Sequence, residues 1–87
     1  MRLYLFLYQY DDPDCGYTTD KIVVVFAESL EEAREMTPPP DHDRVVCREY
    51  QIRRGVANII NTWYYAKGRW MTQEEYDKFW EEEWEHG

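Results

Sequence analysis

The first ten residues constrain the fold more than any other part of the chain. The run RLYLFLYQY, which follows Met1, is almost continuously apolar and aromatic. A strand with one face in water alternates apolar and polar side chains, whereas a strand covered on both faces reads as an unbroken apolar run. The pattern therefore predicts a central β-strand over residues 2–9.

A second strand and a first helix follow. The β-branched run KIVVVFA, residues 21–27, predicts the strand, and DDPDCGYTTD before it predicts a loop of about eleven residues, longer than a tight hairpin needs. Ser29 is a suitable N-cap for the helix-forming stretch LEEAREM. Three prolines at 38–40 stop it, so the sequence predicts a helix over residues 30–36.

A third strand is indicated by RVVCREYQI, residues 44–52, because its side chains alternate in character. One face carries Val45, Cys47, Glu49 and Gln51, and the other carries Val46, Arg48, Tyr50 and Ile52. The second face contains more apolar residues, so we expect it to face the core.

Residues 56–71 allow two interpretations. Apolar residues recur at i, i+3, i+4, i+7 and i+8, a helical spacing, and glycines stand on either side. The residues in this pattern are Val56, Ile59, Ile60, Trp63 and Tyr64. We expect a second helix here. The competing interpretation is a strand pair, because IINTWYY is rich in β-forming residues and AKGR can form a turn.

The C-terminal segment TQEEYDKFWEEEWEHG predicts a third helix over about residues 73–85. Thr72 and Glu75 form a capping-box pattern at its start. Tyr76, Phe79, Trp80 and Trp84 fall on one apolar stripe. The glutamates at 81–83 and 85 lie near the negative end of the helix dipole, where they are unfavourable. Stability does not explain them, so they suggest a partner, the competing interpretation being a solubilising surface helix.

Together these elements predict an α+β fold. We expect a small three-stranded sheet packed with about three helices, in the order β-β-α-β-α-α, as a single compact domain over residues 1–87. A chain of 87 residues buries only about 60–65% of the surface that its unfolded form exposes. We therefore expect no deep, enclosed active site.

The net charge of −8 and the isoelectric point near 4.6 argue against direct binding of nucleic acid, because phosphate neutralisation needs a basic surface. They favour basic protein partners instead. The charge is uneven, since residues 44–69 carry six cations against Glu49 alone. The sequence leaves open whether this basic stretch faces the chain's own acidic helix or a second ligand.

Catalytic and metal-binding patterns have little support. Residue types that bind metals are adjacent to one another mainly at Asp41, His42 and Asp43, and we expect no metal site or cofactor there. Cys47 lies in a predicted strand, and acidic neighbours surround Cys15, so neither thiol is a good nucleophile. No apolar run is long enough for a membrane span, and we expect a non-enzymatic protein in the cytoplasm.

One segment resembles a known class of proteins. Over about residues 10–34, an acidic loop containing Gly16, Tyr17 and Asp20 leads to a valine-rich strand at residues 23–25 and a helix start at residues 27–34. In this order of elements and in its short acidic character, the chain resembles small phage-encoded proteins of the anti-CRISPR type. The resemblance implies an acidic inhibitor in an infected bacterial host, and it transfers no individual binding residue.

The leading hypothesis is therefore a protein inhibitor that imitates nucleic acid and binds a basic nucleic-acid-binding protein such as a CRISPR effector. Carboxylates on a rigid scaffold can engage the Lys and Arg side chains that normally hold phosphates. The expected contact residues are Glu81, Glu82, Glu85, Trp84, Asp11, Asp12, Asp14 and Tyr17. The alternative is a structural or oligomerisation module, such as a homodimer, that uses exposed aromatic residues.

Overall fold

The chain forms a five-stranded antiparallel sheet with one helix packed on each face. In a computed structural model, the backbone of residues 1–86 and the side chains of residues 1–82 are described. The elements in chain order are β1 Arg2–Asp12, β2 Gly16–Ala27, α1 Leu30–Met36, β3 Arg44–Arg53, β4 Val56–Ala66, β5 Arg69–Thr72 and α2 Gln73–His86.

The strand order across the sheet is β2-β1-β3-β4-β5. Phe6 of β1 lies opposite Val23 of β2 on one side and Cys47 of β3 on the other. β1 thus has a neighbour on each side, and the central strand expected from its apolar run is confirmed. β2 and β5 form the two edges of the sheet.

The main core lies on the face that packs against α1. Its buried residues are Tyr4, Phe6, Tyr8, Ala27, Ala33, Val45 and Cys47. In β3, the face carrying Val45, Cys47 and Glu49 is buried, while Arg48 and Ile52 on the other face are exposed. We expected the face carrying Val46, Arg48, Tyr50 and Ile52 to be buried, and this was wrong. The opposite face of β3 is buried, because the aromatic side chains of β1 and β4 on the α1 side of the sheet also cover its polar residue Glu49.

A second, smaller core lies under α2 on the opposite face. Met71 and Tyr76 are buried there, with Tyr64 and Phe79 packed beside them. The rings of Tyr64 and Tyr76 are stacked with centroids 4.1 Å apart. The core of α2 includes no residue of β1 or β2, so this helix covers only part of its face.

The expected three-stranded sheet with three helices is wrong, because residues 56–64 belong to a strand. β4 contains a bulge opposite the step from Glu49 to Tyr50, and the extra residue shifts its alternation toward a helix-like spacing. Gly55 and Gly68 have φ of 76° and 82° in two-residue turns, where they allow the positive φ that these turns require. The strand-pair interpretation of residues 56–71 is confirmed.

Both helix starts follow the sequence signals. The Ser29 hydroxyl accepts a hydrogen bond from the Glu32 backbone N–H at 3.2 Å, which caps α1. At α2, the Thr72 backbone N–H donates to Glu75 at 3.1 Å, and the Glu75 N–H donates back to the Thr72 hydroxyl at 3.2 Å. The capping box is therefore confirmed.

One carboxylate is buried inside the α1 face. Glu49 is 3% exposed. It accepts hydrogen bonds from the Tyr4 hydroxyl at 2.5 Å, from Asn61 Nδ2 at 2.7 Å and from Arg2 Nη1 at 3.0 Å. Burial raises the pKa of Glu49, but these hydrogen bonds lower it by more, so its pKa lies below the usual value.

Candidate protein-binding surface

The β1–β2 connection is a tight hairpin tip and not a long loop. β1 and β2 extend the pairing to Asp12 opposite Gly16, so only three residues join them. The Asp12 carboxylate accepts hydrogen bonds from the Asp14 backbone N–H at 2.9 Å and from the Thr18 hydroxyl at 3.1 Å. Asp12 therefore holds the turn, and Asp11 and Asp14 are the exposed carboxylates that remain for contact.

Arg44 joins this hairpin to α2. Its guanidinium lies 3.6 Å from the centroid of the Tyr17 ring, and its Nη1 donates to the Tyr76 hydroxyl at 3.0 Å. Its Nε donates to Gln9 at 2.8 Å. We call Tyr17, Arg44 and Tyr76 the aromatic clamp. The predicted contact residue Tyr17 is thus part of the support for the surface.

α2 carries the second group of carboxylates. Of the predicted apolar stripe, Tyr76 is 7% exposed and Phe79 is partly buried, so these two residues pack, while Trp80 is 39% exposed. Glu81 and Glu82 are exposed, as expected for contact residues. The side chains of the other two predicted contacts, Trp84 and Glu85, lie outside the described residues.

The structure brings the two carboxylate groups toward the same clamp. Asp14 lies in the hairpin turn, three residues before Tyr17. Glu81 is five residues from Tyr76, or about 7.5 Å along the helix axis. Both groups are therefore on segments that Arg44 joins through Tyr17 and Tyr76. We refer to Asp11, Asp14, Glu81 and Glu82 as the acidic surface.

The carboxylates of the acidic surface are not neutralised by the chain's own cations. Among the side chains of residues 1–82, ion pairs within 4.0 Å join the N-terminus to Glu28, Arg2 to Glu49, and His42 to Asp20 and Asp41. None of these pairs uses the acidic surface. None uses a cation of the stretch 44–69 either, so within the described side chains this stretch does not form ion pairs with the acidic helix.

His42 fastens the proline-containing connection to the edge of the sheet. Its Nε2 lies 3.1 Å from Asp20 and its Nδ1 lies 2.7 Å from Asp41, with the ring 4.4 Å from that of Tyr10. The hydrogen bond to Asp20, together with that to Asp41, raises the pKa of the His42 imidazole. Among the side chains of residues 1–82, no group of three or more His, Cys, Asp or Glu could hold a metal ion.

A cleft of about 770 Å³ lies on the α1 face, between α1, the prolines and the β4–β5 turn. Its floor is aromatic, and the Arg34 guanidinium lies 5.2 Å from the centroid of the Trp70 ring. Its lining contains no Cys, His or Ser side chain. Cys47 is fully buried elsewhere in the core, and burial raises the pKa of its thiol to about 12, which keeps it protonated.

Most aromatic residues pack internally. Phe6 meets Trp70 edge to face, Tyr65 packs on Trp70, and Tyr64 stacks on Tyr76. Exposed apolar residues form two groups. On β2, Ile22 is 62%, Val24 51% and Phe26 50% exposed, and the second group, on β3 and β4, consists of Ile52, Val56, Ile59 and Ile60. The sequence had no signal for the role of Arg44, because nothing in its local pattern distinguishes it from the other cations between residues 44 and 69.

No protein-family model matches the chain, and neither the curated proteins nor the solved structures gave a match. Over the residues that the structure describes, neither helix has the length and apolar character required to cross a membrane. The functional argument therefore depends on the acidic surface and its geometry.

Proposed function

We propose that this chain is a non-enzymatic inhibitor of the anti-CRISPR type, acting in the cytoplasm of an infected bacterium. Its acidic surface occupies the basic groove in which a defence nuclease holds nucleic acid. The observation that carries the proposal is the set of exposed carboxylates on the β1–β2 hairpin and α2, none of which pairs with a cation among the described side chains.

The mechanism is competition for the cations of the groove. Carboxylates form charge-assisted hydrogen bonds with Arg and Lys, as phosphate oxygens do. The aromatic clamp holds the hairpin and α2 together before binding, so less conformational entropy is lost when the complex forms. Exposed Trp80 is positioned on α2 to add apolar contact, since charges steer association and aromatic residues hold the complex.

Charge reversal on α2 tests this proposal directly. The double variant Glu81→Lys, Glu82→Lys should weaken inhibition of DNA binding by a susceptible nuclease at least tenfold, which corresponds to about 1.4 kcal/mol. A panel of purified CRISPR effectors supplies the targets, and displacement of labelled DNA is measured over a series of salt concentrations. Inhibition by the unmodified protein should decrease steeply with salt, because exposed charges are screened.

The matched control is Glu31→Lys, Glu35→Lys on α1. It changes the net charge by the same amount as the α2 variant does. Its two positions are also exposed, but they line the cleft on the α1 face and are not part of the acidic surface. We expect inhibition within twofold of that of the unmodified protein. Equal loss in both double variants would mean that only net charge matters, and no loss in either would rule out the acidic surface as the binding site.

The hairpin is tested separately through Asp11→Lys, Asp14→Lys. Asp12 is left unchanged because it holds the turn. If both carboxylate groups enter one groove, this variant should also weaken inhibition at least tenfold. Inhibition unchanged by the hairpin variant but lost in the α2 variant would restrict the contact to the helix.

A further inference from the structure

The outer edge of β2 is open and apolar. β2 pairs with β1 on one side only, and it is twelve residues long, whereas the opposite edge strand β5 has four residues. Edge strands are commonly protected by short length, charge, proline or a bulge. The bulge of β2 is at Asp20, so the run Ile-Val-Val-Val-Phe at residues 22–26 has none of these protections.

We propose that the β2 edge pairs with the β2 edge of a second copy of this chain, forming an antiparallel homodimer with a continuous ten-stranded sheet. This inference is independent of the proposed inhibitory function. It follows from the exposure of Ile22, Val24 and Phe26 on one face of an unpaired strand.

Only one register matches the apolar residues to each other. A two-fold axis at Val24 places Val24 opposite Val24 of the second copy, and Ile22 opposite Phe26 in both directions. A shift by two residues would place Ile22 opposite Glu28, or Phe26 opposite Asp20, and would bury an apolar side chain against a carboxylate. A shift by one residue would require one copy to turn over, so the exposed apolar residues of the two copies would lie on opposite faces of the joined sheet.

The charges beside this register are already bound within each copy. The two-fold axis places Asp20 opposite Glu28 of the second copy, but the Asp20 carboxylate lies 3.1 Å from His42 Nε2. The Glu28 carboxylate lies 3.4 Å from the N-terminal amine. The N-terminal amine, and the His42 imidazole when it is protonated, reduce the repulsion between the two carboxylates, so the flanking charges permit the register.

The available area fits a weak dimer. Ile22 and Val24 expose half to three-fifths of roughly 60–120 Å² each, and Phe26 exposes half of roughly 150–250 Å², so the three supply about 140–260 Å² of apolar surface per copy. Even with the strand backbone, the total for both copies is smaller than the roughly 1,000 Å² of specific, stable interfaces. The dimer should therefore be populated at high micromolar concentration and dissociate on dilution.

The first test is mass as a function of concentration, measured by sedimentation equilibrium. The average mass of the unmodified protein should rise from 10.7 kDa toward twice that value. Val24→Lys places two ammonium groups opposite each other at the two-fold axis and should remain monomeric. A monomer at all concentrations, or a Val24→Lys variant that still dimerises, would overturn the proposal.

Ile59→Lys is the matched control. The exposed fraction of Ile59, 53%, is close to that of Val24, 51%. Ile59 lies on the same face of the sheet as Val24, but on β4, three strands away from β2. It should dimerise as the unmodified protein does. Loss of the dimer in both variants would indicate face-to-face packing and overturn edge pairing. Circular dichroism and the urea midpoint establish that each variant is folded.

Cross-linking tests the register in a Cys15→Ser background, which removes the exposed thiol. Directly opposed residues have Cα atoms about 4.5–5.5 Å apart, a separation that a disulfide accepts. Val24→Cys should therefore form a covalent dimer on oxidation. Phe26→Cys should not, because its counterpart is displaced by four residues, about 13 Å. The reverse result would overturn this register.

Discussion

The buried carboxylate of Glu49 allows a stability change to be worked out atom by atom. Its Oε2 accepts from Tyr4 and Arg2, and its Oε1 accepts from Asn61. In Glu49→Gln, the amide oxygen must take the Oε2 position, because Arg2 can only donate. The new amide nitrogen then faces Asn61, whose side-chain amide must turn over to present its oxygen. Three hydrogen bonds remain, but those with Tyr4 and Asn61 become neutral, and that with Arg2 keeps a charge on the donor alone.

The expected loss follows from that change of charge. A hydrogen bond to a charged group contributes about 1.5–3 kcal/mol, against about 1 kcal/mol for a neutral one. The two bonds that become neutral and the weakened bond with Arg2 together cost several kcal/mol, and part returns because glutamine has no charge to desolvate. We expect a net loss of about 2 kcal/mol from a total stability of roughly 4–13 kcal/mol for a chain of this size. The melting temperature should fall by about 8–16 °C.

Urea unfolding followed by tryptophan fluorescence measures this loss. The pKa of Glu49 is lower in the folded chain than its ordinary value of 4.5, so its stabilising contribution is present above pH 4.5 and is lost as the pH falls through the folded pKa. The difference between the unmodified protein and Glu49→Gln should therefore be full at neutral pH and shrink in acid.

The control for this experiment is Glu28→Gln. It removes an ion pair with the N-terminus whose two members are 68% and 64% exposed, and it should cost less than about 0.5 kcal/mol. If Glu49→Gln costs no more than this control, or costs the same in acid as at neutral pH, the reasoning about the buried network is refuted.

Three further changes address other parts of the fold. The pKa of His42 is raised above 6.5 in the folded chain, so the stability that its protonated form contributes is complete below pH 6.5 and is lost as the pH rises through the folded pKa. In His42→Ala, the urea midpoint should therefore decrease less as the pH rises. An unchanged dependence of the midpoint on pH would contradict this prediction. Thr72→Ala removes a capping partner of α2 and should cost about 1 kcal/mol in urea unfolding, whereas Gln73→Ala should cost less. Gly68→Ala, at a φ of 82° with no atom within 4 Å of the added Cβ, should cost about 1–2 kcal/mol from backbone strain alone, and Gly68→Asn should recover much of it by the same assay.

Elements with a strong local signal were predictable from the sequence. The unbroken apolar run gave β1, the Ser29 cap and the prolines gave α1, and the capping box gave the start of α2. Each of these signals concerns residues that are close in sequence. The long loop after β1 was wrong because strand pairing extends through polar residues such as Thr18 and Thr19, which pair across the hairpin despite their turn-like composition.

β4 could not be assigned from periodicity alone. A strand with one bulge and a helix can share the same spacing over nine residues, so the choice depended on residue type. The β-branched and aromatic residues of this segment favour a strand, and the two glycines occupy turns. Composition was therefore the better guide, and the helical spacing was misleading.

The site was predictable only in part. Exposure of Asp14, Glu81 and Glu82 follows from polar sequence, but the internal role of Asp12 depends on turn geometry. The contact of Arg44 with both a hairpin tyrosine and a helix tyrosine joins residues from three distant parts of the chain. Such long-range pairings depend on the strand order, which the local pattern does not determine.

The position of β1 between β2 and β3 also sets the timing of folding during synthesis. β1 can pair with β2 as soon as both have left the ribosome, but its other edge must wait for β3, which ends 26 residues after β2. At about 5–20 residues per second, this delay lasts roughly one to five seconds. During that interval the apolar run of β1 has an unpaired edge, which makes the nascent chain vulnerable to aggregation.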